Sequence, residues 1–492
     1  MRKTRTVSNK IVSVLLSLAM IFAPILESVP VYAAEGDSDA VIEGTMPADD
    51  TETTAGVSTA DGKDVTGGDI SGEDISDGDI LPTVDEPEER LKADWVKGNY
   101  GGWNETIYAE ISSVAASEVT AVSYTATGEG TSGSLSAEDL KYLVRDTGNG
   151  GVRIDIPGVA AGTYTLTVVT DEGTLTQAGI TVNAYDRSGF AHFKYPSGVG
   201  AYNNDGTLKT GAIVLYVTDE NKNTVTLEYG GKTVTGIGNI LNSVGQESVA
   251  GSGLASNGGV ANTNQGIIKD LALAGKPLVV RFIGTVSDSG LYDQGTFNAN
   301  SACLIKGLTA YSSTDQGGTK GDNGHMARIQ SGKDITLEGI GYDATIDGWG
   351  FHFICQSSNP ELGESFEVRN LTFINTPEDA VGMEGQQTSK NATSAINAGV
   401  ERCWIHHNEF YKPSISSPAE SDKSEGDGSV DFKRGQYFTC SYNYFEGCHK
   451  TNLVGSADYS LQFNLSYHHN WWYMCKARGP LARRANIHMY NN

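Results

Sequence analysis

The chain has 492 residues, 38% of them hydrophobic and 9% aromatic, which supplies cores for two or three domains and excludes a protein disordered throughout. Its net charge of -25 is unevenly spread: residues 35–94 hold 19 Asp or Glu against three Lys or Arg, so most of the excess belongs there and does not describe an active surface. Sixty glycines and 13 prolines point to many short strands and turns.

Residues 1–34 open with Arg2, Lys3, Arg5 and Lys10, continue through the apolar run IVSVLLSLAMIFAPIL and close on VYAA. That order marks a secretory signal cleaved after Ala33 or Ala34, and the apolar run, broken by Pro24, is short for a membrane anchor. No later segment is apolar enough to span a bilayer, so the expected product is secreted and extracellular. Residues 35–94, with GGDISGEDISDGDI, are repetitive, self-repelling and poor in aromatics, and are expected to form a disordered acidic linker. From 95 to 185 the runs TAVSYTATG, VRIDIPGV, GTYTLTVVT and TQAGITVNAY alternate with turns and predict a small β-sandwich. Tyr124 and Tyr164 are the aromatic surface it offers, so a structural or spacer module is expected rather than a carbohydrate binder.

Strand-like runs continue from 186 through AIVLYVT, PLVVRFIGTV, DITLEGIG and VRNLTFIN, with one helix predicted in NQGIIKDLALAG and ended by Gly275. Toward the end a β-rich segment closes on asparagine five times, at Asn375, Asn408, Asn443, Asn470 and Asn491. Recurrence at intervals of 21 to 35 residues marks a solenoid, and asparagine both tolerates a left-handed turn and can bond to the next rung. The expected fold is all-β: a right-handed parallel β-helix over residues 186–492, preceded by the β-sandwich and the linker. Cys448 and Cys475, each five residues past a rung, would then stack about 4.8 Å apart, within disulfide range.

Asp427 and Asp431 in DGSVD share a strand face, and two such carboxylates repel unless a cation or a proton intervenes. A pair of solvated surface acids is the plainer alternative. Glu378 and Asp379 in PEDAVGM can reach the same side, and three or four carboxylates without cysteine favour calcium over zinc. The doublets His406–His407 and His468–His469, if extended, send their rings to opposite faces, which predicts packing or ladder support rather than chelation. Lys433, Lys450, Arg478 and Arg483 lie in a basic concentration that suits an anionic partner. Nucleic acid is disfavoured by export and by stacking aromatics limited to Trp471, Trp472 and Tyr473.

These blocks resemble the pectate lyases of polysaccharide lyase family 1. CWIHHNEF is similar to the family's Trp-Ile-Asp-His-Asn block, VDFKRGQYFTCSYNYF to its Asp-Ile-Lys-Gly block, and ARGPLARRANIHMYNN to its Arg-x-Pro-x-x-Arg block. LVVRFIGTV and ITLEGIGYDATIDGWGF resemble its opening coils, so the likeness runs over roughly residues 200–492. The resemblance implies a calcium-dependent (Ca2+) lyase that cleaves polygalacturonate by β-elimination and leaves an unsaturated sugar end. It implies that Arg478 removes the C5 proton, that Lys433, Lys450 and Arg483 hold uronate carboxylates, and that Asp379, Asp427 and Asp431 bind the metal with Glu378 beside them. Since a free guanidine is scarce near neutrality, activity is expected to rise in alkaline solution. The implied partner is pectin polysaccharide, with no nucleic acid, no membrane after signal cleavage, and a monomeric enzyme. The alternatives are a pectin lyase acting on methyl esters without calcium, against which the retained acids argue, and a non-catalytic pectin-binding or adhesin β-helix. His406 stands where the family has Asp, and Ala485 where glycine is common. Family members usually run on past the place where this chain stops, Asn492, so a C-terminally truncated β-helix is expected.

Overall fold

The structure, a computed structural model, describes residues 92–242, 266–288, 292–293, 295–308, 324–355, 362–385, 399–418, 421–456 and 460–492. The expected signal of residues 1–34 and residues 35–91 of the expected linker lie outside them. No helix among the described residues is long and apolar enough to cross a membrane.

Alternation at period two builds the first module: along Thr106–Ser112 the side chains of Ile107, Ala109 and Ile111 are buried and those between are not. Two four-stranded antiparallel sheets face each other. One orders Asp94–Trp103, Thr106–Ser112, Gly151–Pro157 and Val144–Asp146; the other orders Gly133–Ser134, Val119–Ala126, Gly162–Thr170 and Gly173–Val182. Tyr164 is fully buried and meets Tyr124 edge to face at 5.7 Å, so it belongs to the core and not to a sugar-facing surface.

From Ile213 the main sheets pair in parallel, apart from the short antiparallel hairpins Thr226–Tyr229 with Lys232–Thr235 and Tyr292–Asp293 with Thr296–Asn298, and each circuit of the chain lays its strands on those of the circuit before. One face stacks Lys333–Asp347, Glu364–Arg369, Val400–His406, Gly435–Ser441, Gln462–His468 and Ala485–Tyr490. A second stacks the short strands Thr372–Ile374, Glu409–Tyr411, Tyr444–Glu446 and Trp471–Tyr473. The third stacks Met326–Gln330, Gly350–Cys355, Val381–Gly385, Gly428–Phe432, Lys450–Val454 and Leu481–Ala482. This is a parallel β-helix. Like residues therefore fall one above another: the rings of Phe373, Phe410, Phe445 and Trp472 stack at 4.9, 4.9 and 5.8 Å. Burying each such phenylalanine contributes about 1.5–3 kcal/mol. The predicted helix forms over Ile267–Leu273, and Gly275, at φ 60°, ends it.

The asparagine ladder exists but its rungs are Asn408, Asn443, Asn470 and Asn492. Asn408 Nδ2 donates to Asn443 Oδ1 at 3.1 Å, Asn443 Nδ2 to Asn470 Oδ1 at 3.1 Å, and Asn470 Nδ2 to Asn492 Oδ1 at 3.0 Å. Asn375 and Asn491 are off it. Asn375 follows a second-face strand, level with Lys412 rather than with Asn408, and donates to Asp347 at 2.8 Å. The histidine reading also needs correction. His407 and His469 take left-handed φ values of 53° and 54°, which turns both rings of each doublet to one side, with Nδ1 atoms 2.9 Å apart in the first and 3.0 Å in the second. Their role is still packing: His407, Tyr442 and His469 form one stack at 4.9 and 4.5 Å. His406, in the place of the family's aspartate, lies on Trp404 at 3.6 Å and directs Nε2 to Glu367 at 3.0 Å. All six cysteines are thiols; Cys448 and Cys475 meet, and a hydrogen bond from the Cys448 thiol holds the Cys475 thiol below its ordinary range.

Candidate active site

The third face carries the site. In Gly428–Phe432, Val430 and Phe432 enter the solenoid core, so Asp431 between them points outward, yet it is buried by what surrounds it. Asp431 pairs in register with Gly382 on one side and Leu453 on the other, and Asp379 lies just before the first of those strands. Gly428 marks the meeting point. A methyl group there would stand 2.7 Å from Asp379 Oδ1 and would also collide with Asp431 Oδ1. We expect Gly428→Ala to lower stability by about 1–3 kcal/mol, because the added methyl must displace two packed carboxylates. Chemical denaturation reads this, with circular dichroism to show an intact fold; unchanged stability would mean that the two acids have room to part.

Each carboxylate faces a cation. Asp379 Oδ2 is 2.9 Å from Lys433 Nζ, and Asp427 lies 3.2 Å from both Lys423 and Lys450. Asp431 Oδ2 is 3.7 Å from Arg478 Nη1 and its other oxygen accepts from the Leu453 amide at 3.0 Å. Glu378 accepts from Lys423 at 2.8 Å. Burial pushes the Glu378 carboxyl up to about 8, with the charges of Asp427 and Asp379 adding to it and Lys423 opposing. Burial and the neighbouring Asp379 likewise drive Asp431 well above the usual carboxylate range. For Asp379 burial is the largest single effect and works upward, but Lys433, His352 and Lys423 together outweigh it and hold the group below its ordinary value. Glu378 and Asp431 are thus held toward their protonated forms chiefly by burial, and Asp379 toward its ionised form by the cations around it.

The structure brings Asp379, Asp427, Asp431, Lys433, Lys450 and Arg478 together, and sets Glu378 beside them. Arg478 comes from the turn after Trp471–Tyr473, in a left-handed conformation at φ 61°, and its carbonyl accepts from the Asn452 amide at 2.8 Å. Arg483 follows the last third-face strand, and its Nη1 donates to the Gly455 carbonyl at 3.0 Å. Sequence reasoning missed Lys423, a buried lysine linking Glu378 to Asp427. The signal was a lone lysine in the acidic run SDKSEGDG. It also missed His352 and Glu384, 3.2 Å apart, which extend the polar row next to Lys433.

The family described as Pectate lyase matches residues 308–492. Pectate lyase B of Dickeya chrysanthemi is 37% identical over 92 residues, covering 18% of this chain and 24% of that one. Pectate lyase 2 of Pectobacterium carotovorum is 32% identical over 163 residues, or 32% of this chain and 38% of its own. A pectate trisaccharide-lyase of Bacillus licheniformis is 36% identical over 131 residues, 25% of this chain and 33% of that enzyme. The chain spans 24% to 38% of the length of these relatives.

Proposed function

We propose, from the premise that this chain belongs to the pectate lyase family, that it cleaves unesterified polygalacturonate by β-elimination with calcium at the carboxylate cluster. The observation that carries this reading is the convergence of Asp379 and Asp431 on Gly428 beside Arg478 and Lys433. The donor set is all carboxylate oxygen, which suits a hard divalent ion; burial first, and neighbouring acids after it, raise Asp431 and Glu378, and such an ion would favour their deprotonated forms. Asp379, Asp427 and Asp431 would hold it, with Glu378 behind them. When bound, calcium draws charge from a uronate carboxylate and so makes the neighbouring C–H more acidic.

The chain's own residues do the rest. Arg478 takes the C5 proton; the electron pair left behind forms the C4–C5 double bond, and the bond from C4 to the glycosidic oxygen breaks, that oxygen leaving with the bonding pair and taking a proton from water. Lys433 and Lys450 oppose the negative charge that develops at C5 and its carboxylate, and Arg483 holds the carboxylate of a further sugar. The enzyme acts as an exported monomer: the first 34 residues are its signal and the β-sandwich a spacer.

The test follows the ultraviolet absorbance of unsaturated product. Polygalacturonate with calcium should give a rising trace that chelator abolishes. Activity on methyl-esterified pectin that ignores chelator would favour the pectin lyase reading, and a silent trace with calcium present would leave a binding module.

A further inference from the structure

A second cluster of ligating side chains stands apart from the carboxylates. We propose that Asp288, Cys303 and His325 form a binding site for a zinc-class transition metal, which ties the loop through residues 299–305 to the strands at the start of the solenoid. Asp288 follows strand Leu278–Ser287, His325 precedes strand Met326–Gln330, and Cys303 lies between them in sequence. One ligand atom from each, a carboxylate oxygen, the sulfur and a ring nitrogen, falls within 4.8 Å of the others. Asp288 and His325 are fully buried and Cys303 is partly exposed.

The hydrogen bonds of His325 orient it for such a role. Its Nε2 lies 2.9 Å from the Ala299 carbonyl, which only accepts, so that nitrogen carries the hydrogen. Nδ1 then turns toward the Asp288 carboxylate and lies 3.5 Å from Cys303 Sγ. In a neutral ring Nδ1 presents a lone pair, and a lone pair buried against a carboxylate calls for a positive charge: a second proton on the ring or a metal ion. A backbone carbonyl on the far nitrogen is the outer contact that metal-bound histidines use to fix tautomer and tilt. The sulfur-to-nitrogen separation is close to the one tetrahedral zinc imposes, since Zn–S of about 2.3 Å and Zn–N of about 2.0–2.1 Å put the two ligands about 3.5 Å apart, whereas Asp288 and His325 are in direct hydrogen-bond contact and must part slightly to admit an ion. A left-handed φ of 53° at His325, costly for a residue with a side chain, swings the ring into this position at the very start of its strand.

The chemistry of the set separates it from the calcium candidate. A sulfur, an imidazole nitrogen and one carboxylate oxygen make a borderline-soft site that excludes calcium and magnesium in favour of zinc, cobalt or nickel. Residues 299–308 also send Ile305 and Leu308 into the main core, so fixing the loop fixes the packing at that end.

The test loads the purified chain with cobalt(II). One equivalent should bind and show thiolate-to-metal charge-transfer absorption, and zinc should displace it. Cys303→Ser should weaken binding by roughly 100-fold or more, beyond what loss of an outer hydrogen-bond partner gives. A joint replacement of His468 and His469, which with Asp186 form the other possible cluster among the described residues, should leave it intact. Should Cys303→Ser fail to fold, alkylation of the native chain decides the matter, because bound zinc should protect the peptide that holds Cys303. No charge-transfer band from folded protein would overturn the proposal, as would a band surviving in Cys303→Ser or protection confined to Cys448 and Cys475.

Discussion

Arg478→Ala is expected to slow turnover of polygalacturonate by roughly 100- to 10,000-fold, the range that a positioned general base supplies, with KM changed only a few-fold. Arg478 is placed through both its backbone and its side chain: its carbonyl accepts from the Asn452 amide, and Nη1 sits 3.7 Å from the buried Asp431 carboxylate. A group fixed in this way loses little freedom when a sugar arrives, so its contribution belongs to the reacting state rather than to capture. A purely binding arginine makes the contrary forecast, a raised KM at preserved kcat. The two are separated by full saturation curves on Arg478→Ala, alongside calcium affinity to confirm that the carboxylates are undisturbed. A kcat within tenfold of the native value would remove Arg478 from the chemistry.

What could be read in the residues was whatever repeats or alternates. DGSVDF shows its two-sidedness directly, with Val430 and Phe432 inward and Asp431 outward, and the basic residues that follow it fall on the same face once the strands stack. The spacing of Cys448 and Cys475 likewise gave their contact, because both lie after the same turn of successive circuits. Errors arose where one residue's backbone leaves the strand. A left-handed turn at His407 defeats the opposite-face rule for its doublet, and Asn375 was misassigned because the strand it follows, Thr372–Ile374, belongs to the second face and not to the one that leads into Asn408. The Asp288, Cys303 and His325 group was not foreseen because its members come from three segments whose meeting depends on the loop between strands rather than on period. Lys423 escaped notice for a related reason: in a long acidic loop a lysine reads as solvated, and only the fold shows that it is buried between two carboxylates.

The calcium-free protein should lose stability as pH rises from about 5 to about 8, the reverse of the usual acid denaturation. Glu378 and Asp431 are both raised above their ordinary values, Glu378 to about 8, so the folded chain holds protons that the unfolded chain has released across this window. That stability is complete below the unfolded values and drains as pH passes through the folded ones, at about 1.4 kcal/mol per pH unit for each proton so held. Asp379 works in the other direction, being depressed by Lys433 against the effect of burial, but its contribution disappears only in acid below the window and does not offset the slope. Calcium at the proposed site should reverse the picture, since it would bind the deprotonated acids and have to release those protons to do so. Thermal melts between about pH 5 and pH 9 should therefore show a falling Tm in chelator and a flat or rising Tm in calcium. Glu378→Gln should flatten the chelator curve, because its amide neither titrates nor repels Asp427. A Tm that climbs with pH in chelator would show that the acids are already ionised in the folded chain, and with that the electrostatic case for a divalent ion at Gly428 would fail.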